Sequence, residues 1–458
     1  MYKEDTIAAV ATPVGEGGVA IIRMSGPDAE RIAKQVFCRS GGRNGTLHSH
    51  TLHHGTICEP KSGTTLDEVL LALMRKPRSY TGEDVVEVHC HGGPFLVRRI
   101  LELILSCGAR HAEPGEFTKR AFLNGRLDLA QAEAVVDLIR ARTEKGMRLA
   151  LGQVQGEISK HVGDLREDLL DILAQVEAAI DFPEEDIELL QRDQLAEKID
   201  NLRRKISSLI ESYEWGRLFR EGARVCIAGK PNVGKSSLLN ALLGEERVIV
   251  ASTPGTTRDV IEESINLDGI PVALWDTAGI RETNDQVEKI GVNFARKRLE
   301  EAHAALIVLD GSSPLSPEDR SILATAKEKT GLVVVNKADL TPKIDAEELA
   351  KLASDKTVLW ISAKEGKGLQ ELKQALRGVL LRVDGEPQIV VTNLRHKASL
   401  EKAEGALLAG NKALRELMPP EIVAVELQEA SNALGEIVGL VTNDNILERI
   451  FSSFCVGK

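Results

Sequence analysis

Aromatic residues and long apolar runs are both scarce in this sequence. Only 3% of its 458 residues are aromatic, which favours helical packing of Leu and Ala over large β-sandwiches. No apolar stretch approaches the length of about 18 residues that a membrane-spanning helix requires. Residues 1–5 show no basic region followed by an apolar core, so we expect no signal peptide. These absences predict a cytoplasmic protein without membrane attachment.

Closely spaced cysteine pairs are absent as well. The six cysteines show no Cys-x-x-Cys spacing, and we expect reduced thiols in the cytosol. His89, Cys90 and His91 look like a metal-ligand set, but consecutive residues of a strand point to opposite faces of the sheet. A packing role at the end of a strand is therefore favoured over metal ligation.

An excess of basic residues is also missing. The formal net charge is −11, whereas a protein that binds RNA over a broad surface is usually basic. We therefore expect any nucleic-acid contact to use a local patch or to be shared with a partner. The charged fraction of 28% is ordinary for a globular protein, and the length allows about two to four domains.

A complete phosphate-loop motif is present. The pattern Gly-x-x-x-x-Gly-Lys-Ser occupies residues 229–236, after the apolar run 225–228 and before the helical run 237–243. Glycines in such a loop let successive backbone N–H groups face a polyphosphate, and the positive end of the following helix adds to the attraction. We expect Lys235 to reach the β- and γ-phosphates and Ser236 to ligate Mg²⁺.

Three further motifs follow apolar runs and identify the nucleotide. After the run 272–275 come Asp276, Thr277, Ala278 and Gly279. An Asp in this position can hold Mg²⁺ through a water, and the glycine N–H can sense the γ-phosphate. After the run 332–335 come Asn336, Lys337, Ala338 and Asp339, and after the run 358–361 come Ser362, Ala363 and Lys364.

The base is read by the second of these motifs. The Asp339 carboxylate can accept two hydrogen bonds from the ring N–H and the amine of guanine, a donor pair that adenine lacks. The loop of Ser362 fits a backbone amide that meets the guanine carbonyl oxygen. The set resembles the GTPase superfamily, which implies GTP as substrate with Mg²⁺. The predicted GTP-binding residues are Asn232, Val233, Gly234, Lys235, Ser236, Ser237, Ala251, Ser252, Thr253, Pro254, Gly255, Thr256, Thr257, Asp276, Thr277, Ala278, Gly279, Asn336, Lys337, Asp339, Ser362, Ala363 and Lys364.

The pattern of elements predicts a multidomain protein. Residues 1–118 mix strands such as 6–11 and 19–24 with helices such as 94–106, as expected of an α+β domain. Residues 220–380 alternate apolar runs with helical patterns, which indicates an α/β domain with a doubly wound sheet. The flanks at 119–219 and 381–458 have helical periodicity, with helices at 404–417 and 423–440. The simplest architecture inserts the GTPase domain into one all-α domain made of both flanks; the alternative is a free-standing carboxy-terminal hairpin.

The residue after the Asp-x-x-Gly motif is unusual for a GTPase. Ile280 stands where Ras-type enzymes place the Gln that orients water. Arg258 and Arg281 could act as arginine fingers, although solvated loop arginines are the favoured interpretation. The run Gly-Thr-Thr-Arg-Asp together with an Asn in the phosphate loop resembles the potassium-activated branch of bacterial GTPases. That resemblance implies potassium ligation by Asn232, Ala251, Thr253 and Thr256, with Thr257 as a second Mg²⁺ ligand.

Two segments outside the GTPase motifs identify a family. Residues 116–134 run Glu-Phe-Thr-Lys-Arg-Ala-Phe-Leu-Asn-Gly-Arg-Leu-Asp-Leu-Ala-Gln-Ala-Glu-Ala, and residues 454–458 run Phe-Cys-Val-Gly-Lys. With these segments, essentially the whole chain resembles the bacterial and mitochondrial tRNA modification GTPase family MnmE (TrmE). The resemblance implies an amino-terminal folate-binding-like domain, a split helical domain and an inserted GTPase domain.

The resemblance also implies a reaction and partners. The family works with the flavoprotein MnmG (GidA), in a hetero-oligomer, to add an aminomethyl or carboxymethylaminomethyl group to carbon 5 of the wobble uridine of tRNA. A tetrahydrofolate derivative, 5-formyl- or 5,10-methylene-tetrahydrofolate, supplies the carbon unit, and the protein is a homodimer through its amino-terminal domain. By motif match the folate-binding residues are Arg23, Glu87, Arg126 and Lys458, and the catalytic residues are Glu288, which orients water, and Lys235. Position 126 is a Lys in some relatives, so its contact has a different donor geometry here.

Other readings of the sequence stay open. Cys455 lies in the family motif, which suggests a nucleophile or redox role, but a packing role is at least as well supported. A ribosome-assembly GTPase of the same superfamily is the alternative function; such proteins add an RNA-binding or second GTPase domain, and no Gly-x-x-Gly loop in a basic region follows the single phosphate loop here. A third possibility is a folate-dependent one-carbon transferase with a regulatory GTPase.

Overall fold

The computed structural model describes residues 5–39, 46–181, 192–245, 264–276, 298–381 and 387–458. The chain divides into two compact units. The first unit consists of Met1–Val136, Gln153–Asp171 and Gln428–Lys458, and the second consists of Asp137–Gly152 and Ile172–Leu427. No helix in the described ranges is both long and apolar enough to cross a membrane.

A seven-stranded sheet organises the first unit. Its strands are β1 (Ile7–Val10), β2 (Gly17–Ser25), β3 (Phe37–Arg39), β4 (Leu52–Cys58), β5 (Thr65–Met74), β6 (Val85–Gly92) and β7 (Arg110–His111). The spatial order is β3-β4-β5-β6-β2-β1-β7, and every neighbouring pair is antiparallel except β1 with β7. Side chains on one face, including Ile22, Leu71 and Val88, form a buried core with helices α1 (Ala29–Val36) and α2 (Pro94–Ser106).

Five helices of the described ranges lie between the two sheets in the sequence. The helices in chain order are α3 (Glu116–Leu123), α4 (Leu129–Arg140), α5 (Glu144–Val154), α6 (Glu157–Asp181) and α7 (Arg192–Glu221). Near the other end of the chain, Leu447 and Phe451 of a later helix pack against Leu129 of α4 in a small buried cluster. Residues far apart in sequence therefore share one core in the first unit.

A six-stranded sheet organises the second unit. Its strands and helices, in chain order, are β8 (Ala223–Ala228), α8 (Lys235–Glu245), β9 (Ser264–Leu267), β10 (Ile270–Asp276), β11 (Ala304–Asp310), α9 (Pro317–Thr325), β12 (Gly331–Asn336), α10 (Ala346–Leu352), β13 (Thr357–Trp360) and α11 (Leu369–Leu381). The order is β13-β12-β11-β8-β10-β9. All pairs are parallel except β9 with β10, and β11 and β12 are buried almost throughout, as parallel strands covered on both faces must be.

The last helices are α12 (Leu394–Arg415), α13 (Pro420–Val438) and α14 (Asp444–Ser452). Helix α12 packs along α7, where Asn411 donates a hydrogen bond to the carbonyl oxygen of Ala196 at 3.3 Å. Just before α12, the Val391 N–H donates to the Ser212 hydroxyl of α7 at 3.0 Å. The helices before and after the six-stranded sheet therefore pack together, and the free-standing hairpin is wrong.

The strands and helices predicted from the sequence are present; most of their ends shift by one to three residues, and one helix begins ten residues earlier than predicted. Helix 94–106 matches α2, and the four apolar runs that precede the nucleotide motifs match β8, β10, β12 and β13. The helix predicted at 404–417 begins earlier, at Leu394, because the side chain of Asn393 caps it by accepting a hydrogen bond from the Arg395 N–H. The prediction of a mixed fold with a doubly wound sheet is confirmed.

None of the six cysteines, all of which lie in the described ranges, forms a disulfide bond. Cys90 lies on the core face of β6, where burial raises the pKa of its thiol to about 11. His91 lies on the opposite face and its Nδ1 is 2.7 Å from Oδ1 of Asp67. The three adjacent residues do not converge on one point, so a packing role for Cys90 is confirmed.

We expect Ser212→Ala to lower the free energy of unfolding of the second unit by about 1–3 kcal/mol, because it leaves the buried Val391 N–H without its acceptor. Ser208→Ala, an exposed site on the same helix, is the matched control and should have little effect. Urea unfolding followed by tryptophan fluorescence measures this, since Trp215, Trp275 and Trp360 all belong to this unit. Equal stability of the two variants would contradict the role of Ser212.

Candidate functional site

The nucleotide motifs meet at one edge of the six-stranded sheet. Strands β8, β10, β12 and β13 each end at the start of one motif, and β11 runs parallel beside β8 and β12. The carboxyl ends of parallel strands lie on the same edge, where open α/β sheets bind ligands. The fold therefore brings together residues that are far apart in sequence, such as Val233 and Ala363, which are 130 positions apart.

The phosphate loop (residues 229–236) joins β8 to α8. Lys235 of this loop is almost fully buried, and its ammonium donates to the backbone carbonyl oxygens of Gly229 at 2.7 Å and Lys230 at 2.8 Å. Asn232 adopts a left-handed φ of 64° and is exposed. Val233 is buried, whereas Ser236 and Ser237, in the first turn of α8, are exposed.

Asn336 joins the phosphate loop to the two loops that were predicted to bind the base. Its Nδ2 donates to the carbonyl oxygen of Val233 at 2.9 Å, and its Oδ1 accepts from the Ala363 N–H at 3.0 Å. The carboxamide is buried, so both of its bonds are shielded from water. A Cβ on Gly234 would lie 2.3 Å from Nδ2, and Gly234 has φ +97°, so only glycine fits beneath this side chain.

Asp339 is exposed at the same edge and is oriented from one side. The Ser362 hydroxyl donates to its Oδ1 at 2.6 Å, and Ser362 is itself fully buried. That hydrogen bond holds the pKa of the Asp339 carboxyl below its ordinary value, with a smaller contribution from the charge of Lys364. At neutral pH the carboxylate is therefore ionised and acts as an acceptor only.

Asp310 belongs to this edge, although the sequence motifs did not include it. It ends β11, and its Oδ2 accepts from the Lys337 ammonium at 2.6 Å. Burial opposes its charge, but hydrogen bonds from Lys337 and Ser312 outweigh burial and keep the pKa of Asp310 below its usual range. The sequence could have indicated this residue, because Asp310 follows an apolar run as the other motifs do.

Several predicted site residues lie outside the described residues. These are Ala251, Ser252, Thr253, Pro254, Gly255, Thr256 and Thr257, together with Thr277, Ala278, Gly279 and Glu288; Arg258, Ile280 and Arg281 also lie there. For Asp276 the described fact is its backbone position at the end of β10.

A second cluster of predicted residues lies in the first unit. Nε of Arg23 on β2 donates to Oε1 of Glu87 on β6 at 2.9 Å, and both side chains are mostly buried. The guanidinium lies over two aromatic rings, 5.1 Å from the centre of Tyr80 and 5.7 Å from that of Phe117. Neither aromatic residue was predicted to belong to this cluster, because the family motifs pointed only to charged residues.

Residues 455–458 lie against this cluster. The carbonyl oxygen of Gly457 is 3.4 Å from Nη1 of Arg23 and accepts its hydrogen bond. A Cβ at Gly457, which has φ +97°, would lie 2.2 Å from the carbonyl oxygen of Val10, so no side chain is tolerated there. Burial, and then the charge of Arg23, lower the pKa of the Lys458 ammonium, while Glu87 opposes this shift. Arg23, Glu87 and Lys458 therefore lie in one cluster, and Cys455, three residues before Lys458, is exposed.

A buried arginine anchors the helix that carries Phe117. Arg120 of α3 is almost fully buried and bonds to Asp5, Glu83 and Glu116 at 2.6–3.3 Å. Burial raises the pKa of Glu83 in spite of the neighbouring guanidinium. The network fixes α3 against the sheet beside the Arg23 cluster.

Arg126 is the predicted residue that stands apart. It is exposed in the segment after α3, and its N–H donates to the carbonyl oxygen of Ala121 at 2.8 Å. None of the contacts among the described residues joins its side chain to Arg23, Glu87 or Lys458. The structure thus brings together three of the four predicted residues.

Two family models match the chain. One, described as the GTP-binding protein TrmE N-terminus, matches residues 6–126, and the other, the MnmE helical domain, matches residues 129–455.

Relatives match over their full length. The chain is 48% identical to the tRNA modification GTPase MnmE of Natranaerobius thermophilus, over 99% of this chain and 100% of that protein. It is also 48% identical to the same protein of Heliobacterium modesticaldum, over 99% of both chains. Among solved structures, Aquifex aeolicus Era bound to GDP and AlF4⁻ is 30% identical over 41% of this chain and 67% of that one, with a TM-score of 0.28, too low to support a conclusion.

Proposed function

The chain belongs to the MnmE family of tRNA modification GTPases and is a GTP hydrolase, and we propose that it binds and hydrolyses GTP at the carboxyl edge of the six-stranded sheet. The observation that carries this proposal is the Asn336 carboxamide, which bonds to both the phosphate loop and the loop of Ala363. One side chain thus sets the distance between the loop proposed to bind the phosphates and the loop proposed to bind the base. The full-length relatives are tRNA modification GTPases, so the ribosome-assembly alternative is set aside.

Asp339 selects guanine in this proposal. Its ionised carboxylate presents acceptors to the ring N–H and the exocyclic amine of guanine, and Ser362 keeps it oriented. The backbone amide of Lys364 is the donor that we assign to the guanine carbonyl oxygen, since the Ala363 N–H is already bonded to Asn336. Lys337 is held by Asp310, so its aliphatic chain is available to cover the base.

We expect Asp339→Asn to lower GDP and GTP affinity by about tenfold or more, because a charged acceptor of two hydrogen bonds is lost. Affinity for xanthine nucleotides should rise, since the amide can donate to the xanthine carbonyl. Titration with fluorescent guanine and xanthine nucleotides measures both effects. Asp355→Asn, an exposed acidic site away from the motifs, is the matched control. Unchanged GTP affinity in Asp339→Asn would show that the base pocket is wrongly assigned.

The residues at the phosphate loop suit hard cations. The Ser236 hydroxyl and the Asn232 amide oxygen are exposed on the loop, and such oxygens are the ligands that Mg²⁺ and K⁺ prefer. We assign Mg²⁺ to Ser236 and Thr257, and K⁺ to Asn232, Thr256 and the carbonyl groups of Ala251 and Thr253. A cation there supplies positive charge beside the phosphates, as an arginine finger does elsewhere. Glu288 is our proposed water-orienting residue in place of the missing Gln.

Replacing potassium by sodium should lower the rate of GTP hydrolysis at least about tenfold, near 1.4 kcal/mol. Asn232→Ala should remove the difference between the two salts, whereas Asn240→Ala, exposed on α8, should retain it. Glu288→Ala should abolish turnover while GTP still binds. Phosphate release at matched ionic strength measures all three. Equal rates in sodium and potassium would reject the potassium site, and a fully active Glu288→Ala would reject the water-orienting role.

The cluster around Arg23 suits a reduced folate. A pterin presents an amine and a ring N–H that match the Glu87 carboxylate, and the Arg23 and Lys458 cations can donate hydrogen bonds to its ring carbonyl oxygen. Tyr80 and Phe117 add aromatic surface for a flat ring. A bound tetrahydrofolate derivative would supply the one-carbon unit for uridine modification. Arg126 remains a proposed contact.

Arg23→Ala and removal of Lys458 should each weaken the binding of 5-formyltetrahydrofolate about tenfold, since each removes a charged partner of the folate. Nucleotide affinity should not change, because the two sites belong to different units. Isothermal titration calorimetry measures both ligands. Arg98→Ala, an exposed arginine of α2 paired with Glu102, is the control. Absence of heat with the intact protein would refute the folate site.

The tRNA modification role makes tRNA a substrate. We propose that modification also requires the flavoprotein MnmG (GidA), in a hetero-oligomer, and that the protein is a homodimer through its amino-terminal domain. The sequence supports the need for a flavoprotein, because its single glycine-rich phosphate motif is assigned to GTP. Modified uridine in a mixture of this protein, tRNA, GTP and folate without the flavoprotein would contradict that requirement.

A further inference from the structure

Lys230 is the second residue of the phosphate loop, and its side chain is tied to a helix outside the loop. Its ammonium donates to Oδ2 of Asp319 at 2.8 Å and is 3.5 Å from the hydroxyl of Ser316. Asp319 lies in the first turn of α9, the helix that follows β11. Only 2% of Asp319 is exposed, so the contact is shielded from water.

The carboxylate of Asp319 depends on Lys230 for its counter-charge. Its Oδ2 also accepts from the N–H and the hydroxyl of Ser316, which caps α9. Its Oδ1 is buried and has no hydrogen-bond partner in the described part of the chain. Burial opposes the charge, but the hydrogen bonds from Lys230 and Ser316 keep the pKa of Asp319 below its ordinary value. Moving Lys230 away would leave a buried charge without compensation, which is costly.

The contact between Lys230 and Asp319 is connected to the Lys235 ammonium, the group that we assign to the phosphates. The backbone carbonyl oxygen of Lys230 accepts from the Lys235 ammonium at 2.8 Å, next to the bond that Lys235 makes with Gly229. Fixing the side chain of Lys230 therefore restrains one of the two carbonyl groups that hold Lys235. The phosphate-loop pattern leaves position 230 free, so the motif itself gives Lys230 no role.

We propose that Asp319 is a positioning residue for GTP hydrolysis: through Lys230 it holds the phosphate loop and the Lys235 ammonium in the arrangement that receives the β- and γ-phosphates. The proposal rests on the proposed function of the phosphate loop. Asp319 should affect the affinity for phosphates and not the recognition of the base. The contacts that lead from Asp319 to Lys235 do not include Asp339 or Ser362.

A comparison of GDP with GMP tests the proposal, because GMP lacks the β-phosphate. In Lys230→Met and in Asp319→Asn, GDP affinity should fall about tenfold, the size of one charge-assisted hydrogen bond, while GMP affinity changes less than about twofold. The double variant should lose no more than either single one, since both remove the same contact. Lys230→Arg should restore the affinity. In steady state KM for GTP should rise with kcat nearly unchanged.

A control variant separates positioning from a general loss of structure. Glu318→Gln removes an exposed charge from the same helical turn and leaves the pair of Lys230 and Asp319 intact. It should keep the wild-type ratio of GDP to GMP affinity. Equal losses for GDP and GMP in Lys230→Met and Asp319→Asn, or a wild-type ratio in either of them, would overturn the positioning role.

A further control distinguishes failure of this proposal from failure of the proposed function. If the intact protein did not bind GDP, or if Lys235→Ala bound GDP as tightly as the wild type, the assignment of the phosphate loop would be wrong. If Lys235→Ala lost GDP binding while Lys230→Met and Asp319→Asn behaved as wild type, the phosphate loop would stand and the role of Asp319 would be wrong.

Discussion

The buried carboxamide of Asn336 is the contact on which the nucleotide site depends. It has one donor direction toward the phosphate loop and one acceptor direction toward the loop of Ala363, and both are used. Because the carboxamide is buried, a lost bond leaves a polar group unsatisfied and shielded from water. The spacing between the phosphate loop and the loop of Ala363 is thereby fixed by a buried side chain rather than by the loops alone.

Local patterns carried the prediction of the second unit. Each nucleotide motif follows an apolar run, and a run of Val, Ile and Leu predicts a buried parallel strand whichever strand lies beside it. The antiparallel β9 was not foreseen, although Asp268 and Gly269, both with positive φ, form the kind of two-residue turn that predicts a hairpin with β10. Asp310 was missed for a different reason, since it serves another side chain and carries no motif of its own.

The first unit was harder to predict from sequence. Its strand order depends on pairings between distant segments, and the aromatic residues around Arg23 come from a loop and a helix that no short pattern connects. Charged residues such as Glu87 and Lys458 could be named through resemblance to a family, but on their own they read as surface charges. Burial of the Arg23 and Glu87 pair is a tertiary property, which single-sequence reasoning cannot supply.

The carboxy-terminal closure of the Arg23 cluster has a consequence for how the protein is made. Arg23 and Gly457 are 434 positions apart, and the whole six-stranded sheet is encoded between them. On a ribosome, which adds about 5–20 residues per second, the amino-terminal sheet can therefore form long before residues 455–458 emerge. The contact between Arg23 and Gly457 can form only after the six-stranded sheet has been synthesised, so the order of synthesis completes this cluster after that sheet.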